Sequence, residues 1–86
     1  MRVQEWTVDI RLDEDDTKTH ARAVLHGRDG VTVQADGSAR RNPVDAPIPE
    51  IGEELATARA LSALAHQLMD VAAEDISNLS HPIDRT

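Results

Sequence analysis

The sequence predicts an α+β fold of the order βββα, a three-stranded antiparallel meander followed by one long C-terminal helix. Three observations predict it. Apolar and polar residues alternate in three successive stretches before residue 41; prolines cluster between Asn42 and Pro49; and an Ala- and Leu-rich stretch then runs without proline as far as Pro82. Period two marks half-buried strands, proline punctuates, and a long proline-free Ala/Leu segment marks a helix.

The first strand is predicted over Gln4–Leu12, with Trp6, Val8, Ile10 and Leu12 on one side and Glu5, Thr7, Asp9 and Arg11 on the other. The charged run from Asp13 to Lys18 is a turn. The second strand, Thr19–His26, sets Ala21, Ala23 and Leu25 on one face against His20, Arg22, Val24 and His26 on the other. It stops at Gly27-Arg28-Asp29-Gly30, where the two glycines are expected to supply the positive φ of a tight hairpin. A third strand begins with Val31, Val33 and Ala35 facing one way and Thr32, Gln34 and Asp36 the other. Gly37 is expected to mark a bulge or bend before Ser38, Ala39 and Arg40. Pro43, Pro47 and Pro49 make residues 42–49 an extended connector. Glu50, Glu53 and Glu54 then sit where the positive end of a helix dipole favours carboxylates. The helix is predicted to end near Ser77, a span of roughly 40 Å. One domain over residues 1–79 and a frayed tail over residues 80–86 complete the organisation.

The chain has 86 residues and no cysteine, with 9 Lys+Arg against 16 Asp+Glu for a formal charge of −7. One small domain fits that length. Without thiols there are no disulfides, thiolate metal sites or cysteine nucleophiles. No apolar run approaches a membrane span, and Met1 to Glu5 lacks the pattern of a signal peptide, so a cytoplasmic location is expected. The acidic balance disfavours phosphate backbones overall, leaving any nucleic-acid contact to a local basic patch.

Seven Val, five Ile, seven Leu, two Met and Trp6 are the larger apolar residues, beside twelve Ala. So thin an inventory favours gaining burial by oligomerising. On a helical wheel Ile51, Leu55, Ala58, Leu61, Ala65, Leu68, Met69, Ala72 and Ile76 form one stripe, which Leu64 and Val71 widen. A small sheet covers the centre of that stripe. Leu64, Leu68 and Val71 are expected to remain partly in water on a single copy, and a homodimer with the helix, through these residues, or the sheet edge in its interface is expected, unless the tail folds back with Leu79 and Ile83 over that flank.

No constellation for catalysis, metal or cofactor is found. Asp13-Glu14-Asp15-Asp16 lacks the glycine and the bidentate glutamate of a calcium loop, with Lys18 and Val24 in their places. His20, His26, His66 and His81 are too widely spaced for zinc. None of Ser38, Ser62, Ser77 or Ser80 sits in a nucleophile turn, and Ser62 falls within the stripe expected to be buried. Gly27-Arg28-Asp29-Gly30 lacks the ending of a phosphate loop. A non-enzymatic protein without cofactor is the expectation.

Arg40 and Arg41 are the only adjacent basic pair, and Arg11 and Arg22 lie on the outward sheet face. Such a patch suits RNA phosphates or an acidic protein. Pairing of Arg40 and Arg41 with Glu50, Glu53 or Glu54 is the equally open structural alternative. The sheet carries no Phe or Tyr for base stacking.

The run Gly37-Ser38-Ala39-Arg40-Arg41-Asn42-Pro43, followed by Ile48-Pro49-Glu50-Ile51-Gly52-Glu53-Glu54-Leu55-Ala56 and Ala58-Arg59-Ala60-Leu61, resembles an actinobacterial family of small proteins of unknown function. The likeness extends to the Trp6 strand and the Leu64–Leu68 segment. It implies a fold class similar to the double-stranded-RNA-binding domain. The family includes a mycobacterial protein induced in dormancy and low oxygen, and its members are similar in fold to ribosome hibernation factors. A stress or dormancy role, with ribosome or rRNA as partner, is what this resemblance implies by fold analogy. Hibernation factors carry an additional helix after their first strand and basic RNA-facing helices. Here the long helix is acidic, so implied rRNA contact falls to Arg11, Arg22, Arg28, Arg40 and Arg41. The alternative is a protein-interaction module without nucleic-acid contact.

Overall fold

The computed structural model describes residues 1–30, 32–41 and 48–80. Strands β1 (Thr7–Glu14), β2 (Lys18–His26) and β3 (Thr32–Arg40) form one antiparallel sheet in the order β1-β2-β3, and helix α1 (Pro49–Ser80) packs on one face of it. The predicted βββα architecture is the one observed. Most of the proline connector and the tail beyond Ser80, including Ile83, lie outside the described residues.

The first strand lies slightly later than its alternation suggested, because the turn that ends it is built by Asp15. The Asp15 carboxylate accepts hydrogen bonds from the backbone N–H groups of Thr17 at 2.9 Å and Lys18 at 2.8 Å, and the Asp15 N–H donates to the Lys18 carbonyl. These contacts hold its carboxyl below the usual carboxylate range. With the chain reversed there, Asp13 and Glu14 extend the ladder opposite His20 and Thr19.

At the other end of β2, a single 3₁₀ turn over Arg28–Gly30 makes the reversal. Asp29 (φ 57°) and Gly30 (φ 74°) take the left-handed conformation. Gly27 does not, contrary to expectation; it lies under Trp6, whose ring would stand 3.5 Å from an added Cβ. Aspartate is one of the few residues that tolerates such a φ, which is why the first left-handed position could shift from Gly27 to Asp29.

Gly37 also departs from the predicted role. It pairs with Ala21 in an unbroken ladder, so there is no bulge. Its missing side chain lets α1 come close: a Cβ there would lie 2.6 Å from the Ala56 carbonyl oxygen and 2.7 Å from the Arg59 carbonyl carbon, and would collide with the Ala60 nitrogen. The helix backbone rests on the strand backbone.

That close approach selects small residues for the interior. Ala21, Ala23, Ala35 and Ala39 from the sheet meet Ala56 and Ala60 from the helix; Leu25 and Leu64 add larger buried side chains, and Val33 and Leu68 pack against them half-buried. The buried line of α1 therefore runs through Ala56, Ala60 and Leu64, with half-buried Gly52 one turn before it. It does not run through the large-residue stripe the wheel suggested. Ile51, Leu55, Ala58, Leu61, Ser62, Ala65, Met69, Ala72 and Ile76 are all exposed. A 32-residue helix is about 48 Å long whereas nine-residue strands span about 30 Å, so the C-terminal turns overhang the sheet. From Met69 to Leu79 every residue is exposed.

Candidate interaction surface

The polar face of the sheet holds Asp9, Arg11 and Asp13 of β1, His20, Arg22 and His26 of β2, and Asp36 of β3. Arg22 Nε donates to Asp36 Oδ1 at 2.8 Å, and Arg22 Nη2 to Asp36 Oδ2 at 3.4 Å. The guanidinium holds the Asp36 carboxyl below its usual range. His20 Nε2 lies 3.4 Å from Asp36 Oδ1, and His26 Nε2 lies 2.9 Å from Asp9 Oδ2. Arg11 stands directly opposite Arg22 and 4.0 Å from Asp13. Arg11 and Arg22 share the outward face as expected, but acids are interspersed with them in a mixed lattice.

The other expected cations are dispersed. Arg28 occupies the 3₁₀ turn, separated from Arg40 and Arg41 by the length of β2, about 25 Å. Arg40 is the register partner of Lys18, beside Arg41. The Arg41 guanidinium donates to the Asp16 carbonyl at 3.1 and 3.3 Å, tying the end of β3 to the first turn. A cleft of about 520 Å³ opens here between the turn, the end of β3 and the start of α1, lined among others by Thr17, Ile48, Gly52 and Leu55. Glu14 lines this cleft, and hydrogen bonding to Glu14 and repulsion by its charge raise the Glu53 carboxyl. Arg59, which the sequence reading did not single out, reaches from α1 to β3, where its Nη1 donates to the Ser38 carbonyl at 2.8 Å.

The three leucine and valine positions expected at a dimer interface separate in the structure. Leu64 is a correction: at 3% exposure it belongs to the internal core, because α1 turns its Ala56–Ala60–Leu64 line toward the sheet. Leu68 is half-buried against that core, and Val71 is exposed.

A different apolar row lies at the surface. Val8, Ile10 and Leu12 pair with Leu25, Ala23 and Ala21, so they share the sheet face on which the helix packs. The helix lies over β2 and β3, leaving Val8, Ile10 and Leu12 about two-fifths exposed and Trp6 51% exposed. Arg59 marks the flank of α1 nearest β3. Leu61 and Leu68, on the opposite side of the helix turn, therefore border the bare face of β1. The signal in the sequence is the size contrast between partners, large on the first strand and alanine on the second.

A three-stranded meander with a helix lying on two of its strands, and large apolar residues bare beside it, defines a small sheet-and-helix protein. The chain belongs to the Rv2632c-like family, whose model matches residues 4–85. It is 46% identical over 79 residues to the uncharacterized protein Mb1767 of Mycobacterium bovis, covering 92% of this chain and 83% of that protein. It is 45% identical over 76 residues to the uncharacterized protein Rv2632c of Mycobacterium tuberculosis, covering 86% and 78%. Its fold is similar to the crystal structure of Rv2632c, with a TM-score of 0.86, 37% identity, and coverage of 96% of this chain and 98% of that one.

Proposed function

We propose that this chain is a non-enzymatic binding protein that works by protein–protein contact and is itself a homodimer. The observation that supports it is the amount of large apolar side chain at the surface. Trp6, Val8, Ile10 and Leu12 on the sheet, and Ile51, Leu55, Leu61, Met69 and Ile76 on the helix, all stand in water in a single copy. Surfaces of that kind on small soluble domains mark interaction sites. The mixed lattice of the polar face, with Arg22 held by Asp36 and Arg11 beside Asp13, gives phosphate little net charge to recognise.

A second reading is the stress- or dormancy-linked ribosome association implied by the family resemblance. One observation favours it: Lys18 and Arg40 are register partners and Arg41 follows, so three cations gather at one end of the sheet. Sedimentation with ribosomes of a related actinobacterium at about 50 and 200 mM salt separates the readings, because phosphate contacts weaken steeply over that range. The protein-contact reading expects no stoichiometric pelleting at either salt. Pelleting at 50 mM that is lost at 200 mM, and lost in Arg40→Ala/Arg41→Ala, would establish the ribosome reading in its place.

A further inference from the structure

We propose that β1 is the seam of the homodimer: the outer edge of β1 pairs antiparallel with β1 of a second copy, in a register centred on Ile10, to form one six-stranded sheet. The inference deepens the homodimer reading above and rests on it.

β1 is an edge strand, and an edge strand presents a row of backbone donors and acceptors ready to pair. It contains no proline, no glycine and no bulge, and among the described residues no loop or side chain donates to its backbone. The opposite edge is treated differently, since Arg59 takes the Ser38 carbonyl of β3.

The sequence of β1 then selects the register. Residues opposite one another in a sheet share a face, so a slip by one position would set the apolar row of one copy beside the polar row of the other. Among the remaining registers, a dyad at Asp9 places Asp9 against Asp9 of the second copy. A dyad at Arg11 places Arg11 against Arg11, and Asp9 against Asp13. A dyad at Leu12 sets Ile10 against Glu14 and shortens the overlap, and one at Val8 leaves only the first residues of the strand paired.

A dyad at Ile10 avoids each of these conflicts over residues 7–13, and moves Glu14 out to the end of the strand, opposite Trp6, which precedes it. Ile10 meets Ile10 of the second copy, Val8 meets Leu12 and Leu12 meets Val8, so the apolar rows become continuous. On the polar face Asp9 meets Arg11 of the second copy, and Arg11 meets Asp9. Opposite charges directly across a ladder stabilise it. The pairing also resolves an imbalance within one copy, where Arg11 faces Arg22 across the ladder while Asp36 already engages Arg22. With the second copy in place, Asp36, Arg22, Arg11 and the second copy's Asp9 form one row across four strands, and the row occurs twice by symmetry. Both helices lie on the same face of the joined sheet, flanking a shared floor of Val8, Ile10 and Leu12.

The chain has no cysteine, so single-cysteine variants of the full-length protein report the register cleanly. Residues directly opposite have Cβ atoms roughly 4.5–5.5 Å apart, close to disulfide range, whereas Leu12 and Leu12 of the second copy would be separated by about 14 Å along the strand. Under mild oxidation Ile10→Cys is expected to form a covalent dimer on a denaturing gel, and Leu12→Cys to stay monomeric. Charge reversal supplies a second reading of the same register. Asp9→Arg and Arg11→Asp should each raise the dimer dissociation constant on the order of tenfold, and the double variant should bring it back toward wild type. Crosslinking of Leu12→Cys in place of Ile10→Cys, or a dimeric mass with neither crosslink and no rescue, would overturn the seam while leaving the homodimer standing. A monomeric wild-type mass would overturn both.

Discussion

The two sides of the sheet-and-helix unit are built from opposite materials. Where α1 crosses β2 and β3, the contact is made of Gly37, Ala21, Ala23, Ala35 and Ala39 against Gly52, Ala56 and Ala60, and the backbones nearly touch. Beside it, β1 and the outer stripe of α1 carry Trp6, Val8, Ile10, Leu12, Ile51 and Leu55, and these stand in water. The fold thus spends its small residues on close approach and leaves its large ones outside. Burying large side chains contributes most of a domain's hydrophobic stabilisation, so a single copy holds much of that potential unused. The proposed second copy or protein partner would give the outer side what the inner side already has.

Enlarging a residue on the close-packed side should have the greatest effect. Gly37→Ala puts a methyl group into the helix backbone, which unlike a flexible side chain cannot swing away. A loss of about 3 kcal/mol is expected, at the upper end of overpacking costs. In a domain of this size that lowers the melting temperature by about 15 °C, read by circular dichroism. Leu64→Ala attacks the same side from the opposite direction by opening a cavity under one of its two leucines. It should cost about 3 kcal/mol in urea denaturation, with the midpoint moved and the slope kept.

On the outer side the same kind of change should register far less in the fold. Ile51→Ser removes a half-exposed side chain, and its effect on unfolding should stay within about 0.5 kcal/mol. A loss comparable to that of Leu64→Ala, and unchanged on dilution, would mean that the outer stripe is covered within the single copy.

A smaller effect lies at the joint between the two sides, where Glu14 of β1 meets Glu53 of α1. The Glu53 carboxyl is raised by its neighbour, so the folded state holds that proton more tightly than the unfolded one. Its stabilising contribution is complete in acid and is lost as pH rises through the raised pKa. Glu53→Gln should therefore melt higher than wild type at neutral pH, with the difference closing below the ordinary glutamate range. Asp36 carries the opposite sign. Arg22 lowers its pKa, so its contribution is present at neutral pH and lost as pH falls through that lowered value. Asp36→Asn should melt lower at neutral pH and converge with wild type in strong acid.

The strands, their order and the helix start were legible because alternation and proline punctuation are local signals. Asp15 and the residues after it were readable as a turn, although only the Asx geometry tells that β1 continues through Glu14. The packed face of α1 was not legible on a wheel weighted toward large residues. Its mark was the four-residue spacing of Gly52, Ala56 and Ala60, which has meaning only once Gly37 is known to lie beneath it. Arg11 and Arg22 could be placed on one face from period two alone. That Asp36 neutralises Arg22 depends on the pairing of β2 with β3, a register that no single strand encodes. Leu64 and Leu68 parted company for the same reason: one turn of helix separates a core position from a rim, and the sheet decides which is which.

The most direct test of the account is the mass of the wild-type protein in solution, by light scattering at micromolar concentration. One copy has a mass of 9.4 kDa. A second copy on the bare face predicts about 19 kDa. A mass of one copy at every concentration tested would contradict the claim that the large apolar residues outside the fold are covered by another molecule of the same chain.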